Sequence, residues 1–407
     1  MKKYISAFAA SVLFLLTVSG CSQNKELENV HLTIASDVAP EEILEEQIAK
    51  FQQIHSSEVI LSYTIKEQSS DDILLSPRNA SDIFNIANDR VDELWKAGTL
   101  LEITDNPEAV ISAAGGAGST GVDVVTRDGK IYGYPLSSGN GYFLYYNKSY
   151  LSEEDVTELD KILDIAAKNG KKFTMDFSSG WYLYSFFKGA GLNLDYNEDK
   201  AANICNWNAK DTPHSGLSVV ESMLKITGHD GFLYLPNENF VENVKNDTVI
   251  AGVSGQWHAE ELAKIWGDNL GAAKLPTYTL DGEQIQMASF TGYRIVGVNS
   301  YTQSPEWAMK LAAYLTNDET QLKRFAAIGQ CPANVAAANS EAVKTAPAVA
   351  AMAEQAPYAY IQHVADPFWN ASSQLGMKIV NGNPAGEDLQ GLLDKTVGQI
   401  IVPVKTR

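Results

Sequence analysis

Short apolar strands alternate with amphipathic helices along most of this 407-residue chain. Residues 30–35 and 59–65 have the composition of strands, and apolar residues recur at helical spacing over 40–54 between them. Residues 82–88 form the next predicted strand, and a predicted helix over 89–97 follows it. This alternation favours an α/β fold in which helices cover both faces of parallel sheets.

The alternation continues through the rest of the chain, and no internal repeat interrupts it. Further strands are predicted over 173–177 and 248–253, with helices over 156–169, 181–188, 257–266, 305–316, 319–328, 367–380 and 387–401. One hydrophobic core stops growing at roughly 250–300 residues, so a chain of this length should contain at least two domains.

The amino terminus has the pattern of an export signal. Two lysines precede an apolar run over residues 5–18, which is shorter than the roughly 20 residues that span a bilayer. The pattern predicts a cleaved signal over 1–20 and a polar tether over 21–29. Small residues before Cys21 are similar to the lipobox of bacterial lipoproteins, so we expect Cys21 to carry a lipid. The alternative is an ordinary secretory signal with an incidental cysteine, and both place the protein outside the cytoplasm.

Composition limits the partners of the chain. A content of 45% hydrophobic and 20% charged residues is typical of a globular protein. The net charge of −19 argues against nucleic acid and anionic lipid surfaces, and it favours a monomer. No later apolar run could span a membrane, so we expect only the lipid to hold the protein there. Cys205 and Cys331 show no metal or redox spacing, and a disulfide between them stays open.

Several polar and aromatic residues stand in the first turn of a predicted helix. They are Asp89, Arg90, Trp181, Trp257 and Trp369. In open α/β sheets ligands bind where a strand passes into its helix. Alternatively, Asp89 caps its helix and the tryptophans pack in the core. Aromatic faces combined with carboxylate and guanidinium groups suit carbohydrate, because pyranose rings stack on indoles while hydroxyls bond to the forked polar groups.

The sequence contains none of the short motifs of serine hydrolases, zinc proteases or nucleotide-binding loops. Residues 195–206 begin like a calcium loop, but Lys200 stands where glycine is needed and Asn206 where glutamate is needed. We therefore expect no metal, no cofactor and no enzymatic activity. A secreted glycosidase or lyase stays open as an alternative, because paired carboxylates cannot be recognised from sequence alone.

Five stretches resemble one protein family, the extracellular solute-binding proteins (family 1) of ABC importers, and in particular its maltose/maltodextrin-binding branch. These stretches are residues 81–104, 128–148, 249–265, 275–300 and 304–325. The resemblance covers nearly all of the chain after the signal. It implies a two-lobe, type II Venus-flytrap fold, with a mixed sheet flanked by helices in each lobe and hinge crossovers between them.

The resemblance also implies a division of the chain and a function. The N-lobe would comprise residues 30–138 and 295–344, and the C-lobe residues 139–294 and 345–407. A lipoprotein of this kind binds an oligosaccharide between its lobes, here expected to be maltose or maltodextrin, and delivers it to the transmembrane subunits of a permease. Binding of another sugar, or of a polyamine or metal chelate, is the alternative within the family.

Ligand-binding residues are carried over from the family position by position. The implied set is Asp37, Asp89, Arg90, Asn140, Trp181, Trp257 and Trp369. The chain departs from the maltodextrin binders at Ile86, where they have tryptophan, at Asn140, where they have glutamate, and at Asn370, where they have tyrosine. These departures affect the linkage and length of the expected sugar more than its class.

Overall fold

The computed structural model describes residues 27–197 and 200–404. Its strands are β1 (Glu28–Ala35), β2 (Val59–Lys66), β3 (Ile83–Ala87), β4 (Thr126–Arg127), β5 (Lys130–Ile131), β6 (Tyr134–Ser137), β7 (Phe143–Asn147), β8 (Lys172–Thr174), β9 (Leu194–Asn197), β10 (Ala202–Cys205), β11 (Phe232–Leu233), β12 (Val249–Ser254), β13 (Leu270–Ala273), β14 (Thr277–Leu280), β15 (Glu283–Gln286), β16 (Ser289–Thr291), β17 (Arg294–Val298) and β18 (Ala359–Ile361).

The α-helices connect and cover these strands. They are α1 (Glu41–Ile54), α2 (Ser70–Leu75), α3 (Val91–Lys96), α4 (Pro107–Ala113), α5 (Thr120–Asp123), α6 (Leu159–Lys168), α7 (Gly180–Gly189), α8 (Gly216–Thr227), α9 (Phe240–Lys245), α10 (Ala259–Trp266), α11 (Pro305–Leu315), α12 (Asp318–Ile328), α13 (Val335–Ala338), α14 (Glu341–Lys344), α15 (Pro347–Gln355), α16 (Pro367–Val380) and α17 (Leu389–Ile400).

Two five-stranded sheets organise the two lobes of the molecule. The sheet of the first lobe has the order β2-β1-β3-β17-β6, and that of the second lobe has the order β11-β8-β12-β7-β13. In the first sheet β1 pairs in parallel with β2 and β3, whereas β17 is antiparallel to both β3 and β6. In the second, β8 is parallel to β11 and β12, whereas β7 is antiparallel to β12 and β13.

The prediction of purely parallel sheets is therefore wrong, although the mixed sheets implied by the family resemblance are confirmed. The antiparallel strands β7 and β17 each begin directly after the chain has crossed from the other lobe. A strand that enters a sheet from the crossing need not follow a helical connection, so it can run against its neighbours.

Each lobe has a core of its own. The first packs Leu32, Ile34 and Phe84 from the sheet against Leu44 and Leu311 from the helices. The second contains a larger aromatic share, in which Phe187 stacks on Trp207 with ring centroids 4.1 Å apart. A further cluster in the second lobe packs Phe143 and Tyr145 with Phe240 and Leu262. Separate cores joined by a few crossing segments allow the lobes to move as units.

Chain crossings bring three segments together between the lobes. Strand β16 pairs in parallel with β18, and the backbone N–H of Gln362 continues this pairing by donating to the Thr291 carbonyl at 2.8 Å. The N–H of Asn140 donates to the Gly292 carbonyl at 2.9 Å, so the first crossing lies beside the second. Asn140 thus belongs to the crossing region.

Two helix starts differ from the sequence prediction. Asp89 and Arg90 lie in a short 3-10 turn, Asn88–Arg90, and Trp257 lies in another, Gln256–His258, each ahead of the α-helix proper. Trp181 and Trp369 lie in the first turns of α7 and α16, as predicted. A 3-10 turn is wound more tightly than an α-helix, and it is common at the ends of α-helices.

Cys205 and Cys331 are free thiols, so the disulfide left open by the sequence does not form. Burial raises the pKa of each thiol to about 12, which keeps both protonated and unreactive at neutral pH. Among residues 27–197 and 200–404, no helix has the length and apolar character needed to cross a bilayer. The predicted signal and Cys21 lie outside the described residues.

The starts of α7 and α16 approach each other closely at Gly180. A Cβ atom there would lie 1.9 Å from the Ser372 hydroxyl oxygen and 3.0 Å from the ring of Phe368. We expect Gly180→Ala to lower the free energy of unfolding by about 1–3 kcal/mol through overpacking. Gly398 in α17 has no atom within 4 Å of such a Cβ, so Gly398→Ala should be neutral or stabilising. Urea unfolding of both variants checks this, and equal stabilities would contradict it.

Candidate ligand-binding cleft between the lobes

Trp181 and Trp257 form a paired aromatic surface in the second lobe. Their ring centroids lie 5.6 Å apart with an interplanar angle of 31°, although the residues come from different strand ends. Trp181 is also packed edge-on against Tyr142 at 4.7 Å, and its carbonyl accepts from the Tyr142 hydroxyl at 2.6 Å. The pair is too close for a pyranose to fit between its rings, so a sugar could stack only on an outer face.

Polar contacts hold Trp257 in place. Its indole Nε1 donates to Asn237 Oδ1 at 3.1 Å, and Asn237 bonds in turn to the Ser254 hydroxyl. Gly255 allows the ring to lie against the backbone, because a Cβ there would come within 1.9 Å of the indole. A ring fixed in this way loses little freedom when a ligand binds.

Trp369 is half-buried at the start of α16 and packs edge-on against Phe368 at a centroid distance of 4.9 Å. Phe368 approaches Gly180 at the start of α7, so the helix starts that carry Trp369 and Trp181 are neighbours. The three predicted tryptophans therefore belong to one end of the second lobe.

Asp89 projects from the first lobe towards the segment that precedes α16. Its Oδ2 atom accepts from the Gln362 side chain at 2.5 Å, and its Oδ1 atom is buried without a hydrogen-bond partner. Burial raises the pKa of Asp89, against the opposing effects of the Gln362 bond and of the Arg90 and Arg294 charges. A buried acceptor without a partner is costly, and a ligand hydroxyl that donated to it would remove that cost.

Arg90 is already paired in this structure. Its guanidinium donates to Glu93 at 2.9 Å and to Asp366 at 2.6 Å, and it also bonds to Asp71. Asp366 directly precedes α16, so the Arg90 pair ties the first lobe to the tryptophan end of the second. A sugar that bonds to Arg90 must therefore share its donors with these carboxylates.

Asp37 follows β1 at the rim of the first lobe. Its carboxylate accepts from Arg294 at 3.2 Å, and its carbonyl accepts from Asn85 at 2.7 Å. Arg294 also donates to the Asn85 side chain at 3.0 Å, which fixes the guanidinium beside Asp37. Sequence reasoning missed Arg294, although it stands directly after the crossing and opens β17.

Other residues missed by the sequence reasoning are amides and one arginine: Asn85, Asn88, Asn237, Gln256, Gln362 and Arg324. Their residue types occur throughout the chain without any spacing that marks a site, so only the tertiary structure could identify them. In the part of the chain that the structure describes, no group of three or more His, Cys, Asp or Glu side chains is arranged to hold a metal ion. The two lobes thus carry indole faces, fixed carboxylates and guanidinium groups, a combination that suits a polyhydroxylated ligand.

A family model for bacterial extracellular solute-binding proteins matches residues 46–351, which is most of the chain. The chain belongs to this family. Membership of an extracellular family places this solute-binding protein outside the cytoplasm, in agreement with the predicted export signal.

Individual relatives agree with the family match. A maltodextrin-binding protein of Bacillus subtilis, MdxE, is 27% identical over 363 residues, covering 83% of this chain and 82% of that protein. The galactooligosaccharide-binding protein of the same organism is 23% identical over 387 residues, covering 88% and 87%. A structure solved with acarbose has a TM-score of 0.78 and 26% identity over 92% of this chain and 99% of that one. These similarities confirm the two-lobe fold of the solute-binding protein.

His258 should make the stability of this solute-binding protein sensitive to acid. Burial lowers the pKa of His258 to about 4, and its Nδ1 lies 2.9 Å from the Ser254 hydroxyl, within the network that holds Trp257. As pH falls from about 6.5 towards 4, the unfolded state takes up this proton first, so stability present above pH 6.5 is lost, by up to ~3 kcal/mol.

The measurement is urea unfolding of the wild type and of His258→Asn at about pH 7 and about pH 5. Other titrating groups are common to both proteins, so the variant should lose less stability on acidification than the wild type. Equal losses in the two proteins would contradict the assignment.

Proposed function

We propose that this protein is the substrate-binding subunit of a bacterial ABC sugar importer and that it binds an oligosaccharide in the cleft between its lobes. The expected ligand is an α-glucan fragment of the maltose or maltodextrin type. The ligand-binding residues would be Asp37, Asp89, Arg90, Asn140, Trp181, Trp257 and Trp369. The protein would release its sugar unchanged to the transmembrane subunits of a permease and would catalyse no reaction.

What supports this proposal is that the two lobes carry complementary chemistries. The second lobe supplies the Trp181–Trp257 pair, and the first supplies Asp89, with an acceptor oxygen that has no protein partner. A sugar has apolar C–H faces for the indoles and hydroxyls for the carboxylate, so it can satisfy both.

The named relatives support the sugar class. MdxE is named for maltodextrin, the second relative for galactooligosaccharide, and the similar solved structure contains acarbose. All three descriptions concern oligosaccharides or their analogues, whereas they differ in linkage. A galactooligosaccharide is therefore the second candidate, and the departures at Ile86, Asn140 and Asn370 keep it in consideration.

Closure of the lobes would be the signal to the permease. A ligand that touches both lobes stabilises the closed form by its differential affinity for that form. We propose that residues 30–138 and 295–344 move as the N-lobe and residues 139–294 and 345–407 as the C-lobe. The lipid on Cys21 and the tether over 21–29 would keep the protein near its permease.

A thermal-shift screen of the wild type tests the sugar class. Maltose, maltotriose and a galactotriose are compared at equal concentration, and maltotriose should raise the midpoint because it binds only the folded form. Chromatography of the same mixtures should show intact sugar. No shift with any of these sugars would count against the proposal, and release of smaller sugars would favour the glycosidase alternative.

Trp369→Ala should weaken maltotriose binding by about 1–3 kcal/mol, because a stacking face of the cleft is lost. Trp95→Ala is the control, since Trp95 is half-buried in the first lobe against Tyr132 at 6.2 Å, away from the cleft. Calorimetric titration should show a weaker affinity for the first variant and an unchanged affinity for the second. An unchanged affinity for Trp369→Ala would remove this residue from the site.

A further inference from the structure

Arg324 is a buried arginine on α12 of the first lobe that the proposed function does not use. Its side chain is only 3% exposed, and Nη2 donates to Gln330 Oε1 at 2.6 Å. Its Nε and Nη1 atoms are buried without a hydrogen-bond partner. The helix itself is held on α1 by other contacts, including Lys323 to Glu46 at 3.0 Å.

Arg324 lies where the first lobe meets the Trp257 turn of the second lobe. The charges of Arg294 and Asp37, which pair with each other at 3.2 Å, act on it. Its partner Gln330 precedes Cys331, whose backbone N–H donates to the Gln256 side chain. A Cβ on Gly329 would lie 2.7 Å from the Gln256 carbonyl. Helix α12, which carries Arg324, thus contacts the turn of the second lobe that holds Trp257.

The fold gains little from this side chain. Burial lowers the pKa of Arg324 to about 10, Arg294 adds to this effect and Asp37 opposes it, so the group stays charged at neutral pH. A buried cation with unpartnered donors destabilises a folded protein, and an apolar side chain of similar volume is often tolerated or stabilising in its place. Such local costs are frequent at functional sites.

Asp89 presents the opposite deficiency, because its buried Oδ1 atom lacks a donor. The charge of Arg294 acts on both groups, Asp89 and Arg324. An anion that offers only acceptors would satisfy only Arg324, and a cation that offers only donors would satisfy only Asp89. A hydroxyl both donates and accepts, so neighbouring hydroxyls of a neutral sugar could satisfy both.

We propose that Arg324 is a ligand-contacting specificity residue, which donates from Nε and Nη1 to hydroxyl oxygens of the sugar when the lobes close. This inference rests on the proposed function and adds a residue of the first lobe that neither the sequence motifs nor the aromatic surface indicated. Together with Asp89 it selects a neutral, polyhydroxylated ligand over a charged one.

The test compares Arg324→Met with the wild type by thermal unfolding without ligand and by calorimetric titration with maltotriose. The expected unfolding midpoint is unchanged or higher, while the affinity falls by about tenfold to a hundredfold, the usual loss for hydrogen bonds from a charged donor. Arg127→Met is the matched control, because Arg127 is paired with Asp92 and with the Thr126 carbonyl at 2.7 Å. The control should unfold at a lower temperature and keep its affinity.

If the wild type binds maltotriose and Arg324→Met binds it equally well, this inference is overturned and the proposed function stands. If Arg324→Met unfolds several degrees lower or fails to fold, Arg324 is structural and the inference is also overturned. If the wild type binds neither maltotriose nor galactotriose, the proposed function itself is contradicted.

A uronic-acid oligosaccharide should bind the wild type more weakly than maltotriose, and tighter binding would contradict the selection of neutral ligands.

Discussion

The geometry of the cleft depends on the buried amide of Gln256. Its Nε2 atom donates to the carbonyls of Ser138 and Gly139 at 2.9 and 2.8 Å, and its side-chain oxygen accepts from the backbone of Cys331. One amide thus joins the turn that carries Trp257 to two segments near the lobe crossing. Because the group is only 2% exposed, loss of these bonds would leave several buried polar atoms without partners.

A second buried amide has the same role in the first lobe. Asn88 accepts from the backbone of Tyr293 at 2.9 Å and donates to the carbonyl of Gln362 at 3.0 Å. Next to it, Asp89 and Arg90 bond to Gln362 and Asp366. The acid–guanidine pair is therefore connected to the tryptophan end of the other lobe even without a sugar. Contacts of this kind set the balance between open and closed lobes, on which a ligand then acts.

Much of the fold could be predicted from the sequence. Strand-to-helix alternation predicted β1, β3 and β12 and placed Asp89, Trp181 and Trp257 at the starts of helical segments, as the helix start at Pro367 did for Trp369. Their role as ligand contacts stays a prediction. Strand direction could not be predicted in this way, because β7 and β17 follow lobe crossings rather than helices. The contact between the Trp181 and Trp257 rings could not be predicted from the sequence either, because the two residues are far apart along the chain and meet only through tertiary packing.

The sequence by itself determined the local elements and the family, because periodicity and short motifs are properties of neighbouring residues, and on the same ground it predicts the export signal. The tertiary structure decided which side chains remain unpartnered. The sequence predicts Arg90 as a ligand contact, but in the structure its guanidinium is paired with three carboxylates. No sequence motif indicates Arg324, yet two of its buried nitrogen donors have no hydrogen-bond partner. Hydrogen-bond satisfaction depends on distances and burial between residues remote in sequence, so no local pattern can reveal it.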